Sequence, residues 1–471
     1  MNFSPFGVTL PWLIVAMVLG LLALLVMLLS RKTRGLDVDT DAVQTIQMTD
    51  APGQIARQDW MSSPAVNRVF DAIEAVGGEI RFVGGSVRDA VLKLVIHDID
   101  LATTLQPEVA MEALVSAGLK VIPTGLKHGT ITCIADGEKL EITTLRQDVE
   151  TDGRHATVVF TDDWKTDASR RDFTMNALSM TREGIIYDYF NGLRDLAERN
   201  VIFIGDPNKR IEEDYLRILR FFRFTGRYGR IPPATAALAA CRKAVAHLDD
   251  ISGERIQNEM FRLLQQTSPG TIIDLMAAEK ILSYLLPASP KLGMLNSLIW
   301  LETRAMGENR VALDPVRRLA ALLFRDSEGA ASVADRWRLS NARRDQLLDL
   351  CEPDLTLAPD MGEAAMLAGI HKLGAERFRD HLLMAWANDI DQSETKGGRN
   401  VEWRRLFEAA EAASPPEFPL MGADVLDAGV PAGPAVGRIL AEMEAYWLKE
   451  ACRPTRADLL ERLPVVIASQ S

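Results

Sequence analysis

Near Ile202 the apolar residues change period, and that change divides the chain into two kinds of structure. Before it lie short runs of strand length: EIRFVG (79–84), DIDLAT (98–103), LKVIPT (119–124), TITCIA (130–135), KLEITTL (139–145) and TVVFT (157–161). Their Ile, Val and Thr content predicts strands. A helix is predicted over Pro107 to Ala117, between two of the runs. Another is predicted over Ser62 to Val76, opened by a Ser-Ser-Pro cap, with Val66, Val69, Phe70, Ile73 and Val76 on one stripe. From Ile211 to Leu463 the period is helical. The expected fold class is therefore α+β, with a small sheet-containing head followed by an all-α remainder. No repeat of solenoid period is present, and the Ala-rich stretch near 234–246 is the nearest approach to low complexity.

At 471 residues the chain has room for two or three domains. Its 53 Lys+Arg against 65 Asp+Glu leave a net charge of −12. An acidic whole argues against indiscriminate nucleic-acid binding but permits a local basic groove. Cys133, Cys241, Cys351 and Cys452 lie far apart, without zinc-ligand spacing, which suits a reducing compartment. Residues 1–30 carry no charge, and the run from Thr9 to Leu29 is nearly all apolar. As a helix it would span ~31 Å, enough to cross a bilayer. Arg31, Lys32 and Arg34 follow, so this membrane anchor would leave the rest of the chain on the cytoplasmic side of the inner membrane. The plainer reading starts the protein at Met48, where a polar stretch suits a cytosolic N-terminus. Residues 31–61 read as a linker.

The chemistry concentrates in four motifs. In FVGGSVRDAVLKLVIHDIDLAT (82–103), a strand runs into Gly84-Gly85 and a helix then opens near Ser86. Glycines let backbone N–H groups approach a phosphate, and Arg88 on the first turn adds a guanidinium. Asp98 and Asp100 stand two apart on a predicted strand, so both carboxylates share a face. Such an oxygen pair suits Mg²⁺, although a surface turn with two solvated aspartates is the plain alternative. Glu141, outward on a neighbouring strand, is the candidate third carboxylate of a two-metal site; the alternative is a cross-strand salt bridge.

The second motif, DASRRDFTMNALSM (167–180), places Arg170, Arg171 and Asp172 where arginines could clamp a polyphosphate or simply cap a helix. The third, YDYFNGLRDL (187–196), is a turn on Asn191-Gly192 and reads as a hinge. The fourth, EEDYLRILRFFRF (212–224), sets Asp214, Arg217, Arg220 and Arg223 at i+3 steps on one helix, opposite Leu216, Leu219 and Phe222. An amphipathic helix with internal ion pairs explains that spacing; so does a surface for nucleotide or RNA phosphates. His128, in GLKHGT, could line a nucleotide pocket, but it reads, like His97 on the strand beside the aspartates and His155, as structural or solvated.

Taken together, GGSVRD, DID, RRDFTMNAL, GLRDL, EDYLRILRFFRF and ISGERIQNEMFRLL (251–264) resemble the class II tRNA nucleotidyltransferase and bacterial poly(A) polymerase family. PLMGADVLDAGVPAGPAVGRIL (419–440) is similar to the C-terminal segment of CCA-adding members. The resemblance implies a polymerase-β-like head, here 62–200, a helical neck over 201–270, and a tRNA-binding body and tail over 271–471. It implies that Asp98 and Asp100 hold Mg²⁺ and that Gly85, Arg88, Arg171, Asp214, Arg217, Arg220 and Arg223 bind the nucleotide. Gly84 and Asp172 join that set by position. CTP and ATP both present an exocyclic amine beside a ring-nitrogen acceptor. Asp214 can accept from the amine while Arg217 donates to the ring; UTP and GTP reverse the pattern and would leave both unpaired.

LEITTLRQDVETDGRHATVVFTDDW (140–164) is similar to the CCA-adding group, whose loop at Thr151–His155 serves the switch to ATP. CCA addition to tRNA is thus the expected activity, with poly(A) synthesis the enzymatic alternative. A degenerate membrane-tethered RNA-binding protein is the non-enzymatic one. His97-Asp98 and Asp380-His381 lack further His/Asp partners, so no HD phosphohydrolase activity is expected.

Overall fold

The computed structural model describes residues 53–151, 156–307, 309–353, 355–393 and 399–469. The apolar run at 9–29, the start at Met48 and the loop positions 152–155 lie outside these residues. Helix α1 (Pro64–Ala75) begins as the cap predicts: the Ser63 side chain accepts from the Val66 N–H, and Pro64 supplies a fixed φ. Val66, Val69, Phe70 and Ile73 are buried. Val76 departs from the expected stripe; the helix ends one residue earlier and Val76 is 52% exposed.

Residues 53–61, expected as linker, pack on the head instead. Gln54 bridges to Ile185, Asp59–Ser62 forms a short 3-10 turn, and Met61 is buried. The Trp60 ring stands 4.7 Å from Phe82, edge to face. Two large apolar side chains in a polar stretch are enough to dock it.

The head sheet contains β1 (Ile80–Val83), β2 (Ile99–Thr103), β3 (Lys120–Gly125), β4 (Thr130–Ala135), β5 (Glu138–Thr144), β8 (Ser179–Met180) and β9 (Ile186–Tyr187). Its order is β3-β4-β5-β2-β1-β8-β9, with β2 and β5 parallel and the other pairs antiparallel. A separate hairpin joins β6 (Arg146–Thr151) to β7 (Ala156–Phe160). Strands β6, β8 and β9 fall outside the expected runs; β8 and β9 are two residues each, too short to show a period. Between the strands lie α2 (Gly85–Val91), α3 (Pro107–Ser116), α4 (Trp164–Ser169) and α5 (Gly192–Ala197). Phe82, Leu101, Ile131, Cys133, Leu140 and Ile142 bury against α1 and α3. Strand alternation therefore turns Asp100 and Glu141 to the opposite face.

The neck comprises α6 (Pro207–Glu213), α7 (Leu216–Tyr228), α8 (Thr235–Ala244) and α9 (Gly253–Leu264). Beyond it run α10 (Gly270–Ala278), α11 (Leu292–Trp300), α12 (Pro315–Leu322), α13 (Ser327–Arg336), α14 (Asn341–Cys351), α15 (Glu363–Leu373), α16 (Ala375–Gln392) and α17 (Asn400–Ala412). One apolar core extends from Phe173 through Ala410 without a break at 270. Helices α18 (Gly422–Asp427), α19 (Pro434–Lys449) and α20 (Arg456–Ser469) close over their own core around Val425, Met443, Trp447 and Leu459.

Phe173, in the second motif, joins head to neck: its ring lies 4.9 Å from Phe203 and 5.2 Å from Phe224. The hinge turn at Gly192 passes so close that a Cβ there would meet the Thr174 carbonyl at 2.3 Å. Among the described residues no helix is long and apolar enough to cross a membrane.

Candidate active site

Asp100 stands directly across from Glu141 in the parallel register of β2 and β5. Asp98 immediately precedes β2 rather than lying on it, and both aspartates are exposed to solvent. Neighbouring protein nonetheless strips enough water from the Asp100 carboxyl to raise its pKa. The negative charges of Glu141 and Asp98 raise it further, while Arg171 opposes them. Such crowded negative charge is relieved by a cation. The donors are all oxygens and few in number, which fits Mg²⁺, an ion that keeps water and phosphate oxygens in its remaining positions.

Glu141 is otherwise engaged. Lys139, two residues earlier on the same strand, reaches its Oε1 at 2.8 Å, so the ion pair runs along the strand rather than across it. Among the described residues no three ligating side chains draw together into a closed metal set, and Glu141 does not complete one with the aspartates.

Gly84 turns the chain from β1 into α2 with φ +68°, a conformation that costs a residue bearing Cβ. A Cβ there would also meet Arg171 Nη1 at 2.7 Å. The Gly84 N–H donates to the Leu178 carbonyl at 3.1 Å, so this amide, expected to face phosphate, is already spent. Arg88 is buried on α2. It donates to Asp89 Oδ1 at 2.8 Å and Asn176 Oδ1 at 2.6 Å, with its guanidinium 4.2 Å over the Tyr228 ring. Arg171 donates to the Asn176 carbonyl and to Asp167, each at 3.3 Å.

Asp172 points away from this turn, into the protein, and is 7% exposed. Its carboxylate accepts from the Phe173 N–H at 2.8 Å, Asn176 Nδ2 at 2.9 Å and Arg220 Nε at 2.7 Å. Burial alone would raise its pKa, but Arg220 and these hydrogen bonds outweigh it and hold the pKa low. Asp172 thus anchors Arg220 instead of facing a nucleotide, because its neighbours saturate both oxygens.

The 212–224 stretch is not one helix. Helix α6 ends at Glu213, Asp214 is extended at φ −158°, and α7 begins at Leu216. Asp214 causes the break by local capping: its Oδ1 accepts from the Leu216 N–H at 3.1 Å. Arg217 still falls on the first turn beyond it, its N–H bonded to the Asp214 carbonyl at 3.0 Å. The expected basic stripe is fully paired. Arg217 Nη1 donates to Glu213 at 2.5 Å and the Arg210 carbonyl at 2.6 Å. Arg220 is shared between Asp172 and Glu259, and Arg223 Nε meets Glu259 at 2.5 Å. Arg210 ties this element to the head by donating to the carbonyls of Arg170 and Arg171.

Sequence reasoning missed Glu259 and Arg255, which lie four apart on α9. Arg255 donates to Asp214 Oδ2 at 2.7 Å. A carboxylate amid Ile256, Met260 and Leu263 is a local signal of a buried charge, but its arginine partners lie 36 and 39 residues upstream. Asn176 and Asp167 were missed because one partner of each is distant: Arg88 for Asn176 and the Arg146 amide for Asp167. His97 precedes β2 in an exposed segment, not on a strand. His128 offers its carbonyl to Arg146, and His155 lies outside the described residues. Asp380 pairs with Arg317, while His381 pairs with Asp349 at 2.9 Å.

Comparison with known proteins accords with this geometry. The Poly A polymerase head domain profile matches residues 80–202, and the probable RNA and SrmB- binding site of polymerase A matches 231–292. The mitochondrial CCA tRNA nucleotidyltransferase 1 of Danio rerio is 34% identical over 391 residues, covering 82% of this chain and 87% of that protein. The CCA-adding enzyme of Lacticaseibacillus paracasei is 31% identical over 380 residues, covering 80% and 89%. The crystal structure of the Bacillus stearothermophilus CCA-adding enzyme in complex with CTP superposes with a TM-score of 0.67. It shares 25% identity and covers 87% of this chain and 99% of that one. With a matching head, neck and helical body, and this identity over four-fifths of its length, the chain belongs to the CCA tRNA nucleotidyltransferase family.

Proposed function

We propose that this chain completes the 3′ end of tRNA, adding C, C and A from CTP and ATP without a nucleic-acid template. The observation that carries this reading is the continuity of the site. Asp100 lies under the charge of Arg171, and the Arg170 and Arg171 carbonyls hold Arg210, whose own carbonyl holds Arg217 one turn after Asp214. Acidic centre, phosphate-binding arginine and base-reading pair thus share one connected frame. Relatives named for CCA addition, and a structural neighbour solved with CTP, support it.

In this reading Asp98 and Asp100 hold Mg²⁺, with Glu141 adding negative charge opposite Asp100. The ion supplies positive charge for the attacking 3′-hydroxyl and the departing pyrophosphate. Gly85, Arg88 and Arg171 take the triphosphate. Asp214 accepts from the exocyclic amine and Arg217 donates to the ring nitrogen of C or A. Asp172, Arg220, Glu259 and Arg223 brace the helix that carries Arg217, just after Asp214. The body and tail over 271–471 hold tRNA. The apolar 9–29 run would tether a cytoplasm-facing enzyme as an accessory. Cell fractionation tests this: membrane recovery supports the tether, and cytosolic recovery supports a start at Met48.

The activity test uses tRNA lacking its last three nucleotides, Mg²⁺ and each nucleotide singly and in pairs. CTP alone should add two residues, and CTP with ATP three, after which extension stops. An ATP-only ladder would instead identify a poly(A) polymerase, and no incorporation would support the RNA-binding alternative.

A further inference from the structure

We propose that Asp167 is a positioning residue that couples the root of the β6–β7 hairpin to Arg171, and through it to the triphosphate. The inference deepens the proposed function, because it rests on Arg171 as a phosphate ligand. Asp167 lies on α4 and is 3% exposed. One oxygen, Oδ1, accepts the Arg146 N–H, the first amide of β6, at 3.2 Å, and Arg170 Nε at 2.8 Å. The other, Oδ2, accepts Arg171 Nη2 at 3.3 Å. A single buried carboxylate therefore joins the hairpin's first residue to the arginine that leans over Gly84 and acts on Asp100.

An ordinary i,i+4 pair on a helix is solvated and worth little. This one has been taken out of water, a cost recovered only when the partners are fixed. Burial disfavours its charge, yet Arg170 and Arg171 hold the pKa below the usual range, so the carboxylate is ionised when the arginines are in place. Helix α4 is itself clamped beside the acidic face. Trp164 Nε1 donates to Glu79 at 2.9 Å, and the Arg81 guanidinium lies 4.1 Å from the Trp164 ring. Asp167 joins this clamped helix to the first residue of β6. An arginine oriented in advance loses less freedom on meeting phosphate. A triphosphate drawing on Arg171 changes the donors at Asp167 and thereby the hold on the Arg146 amide.

The test reads CTP binding and hydrogen exchange in the full chain with Mg²⁺ and without tRNA. In the native protein CTP should slow exchange in the hairpin strands, residues 146–151 and 156–160; unchanged exchange there overturns the coupling whether or not any variant folds. Asp167→Asn should weaken CTP binding by about tenfold and abolish the slowing, with Asp167→Glu restoring part of both. In an Arg171→Ala background the Asp167→Asn change should add little further loss. Unchanged CTP affinity in a folded Asp167→Asn protein, or fully additive losses in the double variant, overturns the proposal. Since tRNA is absent, failure of CCA addition would leave this test standing, and failure here would leave tRNA extension unaffected.

Discussion

The acidic centre of the head and the arginine helix of the neck are both highly charged, yet they are built in opposite ways. In the head, Asp98 and Asp100 face solvent, and like charges crowd Asp100. In the neck, Arg217, Arg220 and Arg223 each already hold a protein carboxylate. The difference fits the proposed roles. On that reading a metal ion brings its own charge and water to the head carboxylates, which stay open and unsatisfied, whereas a base is recognised by direction, so Arg217 and the residues that brace it are fixed before it arrives.

The sharpest break in this comparison is at the acidic centre. Asp98→Ala or Asp100→Ala should lower nucleotide incorporation by at least about 10³-fold without lowering the thermal midpoint, since exposed unsatisfied charges add little to stability. Near-normal turnover in either variant would remove the centre from the mechanism. In the neck the balance should reverse for the bracing charges. Glu259→Ala leaves half-buried Arg223 without that carboxylate and Arg220 with Asp172 alone, and should cost about 3 kcal/mol of stability, read by urea unfolding.

Acid unfolding refines this point. The folded pKa of Asp172 is lowered, so its stabilisation is complete above the unfolded carboxylate value and fades as pH falls through the folded one. Asp172→Asn should therefore destabilise the protein at pH 7 and converge toward it in strong acid. The smallest effect concerns choice of base. Asp214→Ala or Arg217→Ala should cut the preference for CTP and ATP over UTP and GTP by about 10- to 100-fold, with a smaller change in triphosphate affinity. Full retention of that preference would show that base reading lies elsewhere.

Much of this was legible in the chain. The strand run at 130–135 coincides with β4, Ser63 caps α1, and the paired aspartates flank the start of β2. Each is written within a few residues, where side-chain period and backbone preference act directly. The break at Asp214 was less legible, because a cap and a helix interior differ only in whether the aspartate bonds its own backbone.

The residue order alone therefore settles local features: which runs carry strand or helix period, where glycine must turn the chain, and which short stretches concentrate carboxylates and guanidinium groups. The tertiary structure alone decided which of those charges meet. It set Asp100 opposite Glu141, turned Asp172 inward to Arg220, and brought Glu259 to Arg223 and Asp167 to the Arg146 amide. These contacts join residues 21 to 48 positions apart. Sheet register and helix packing choose among many charged candidates at that range, and no local period encodes the choice.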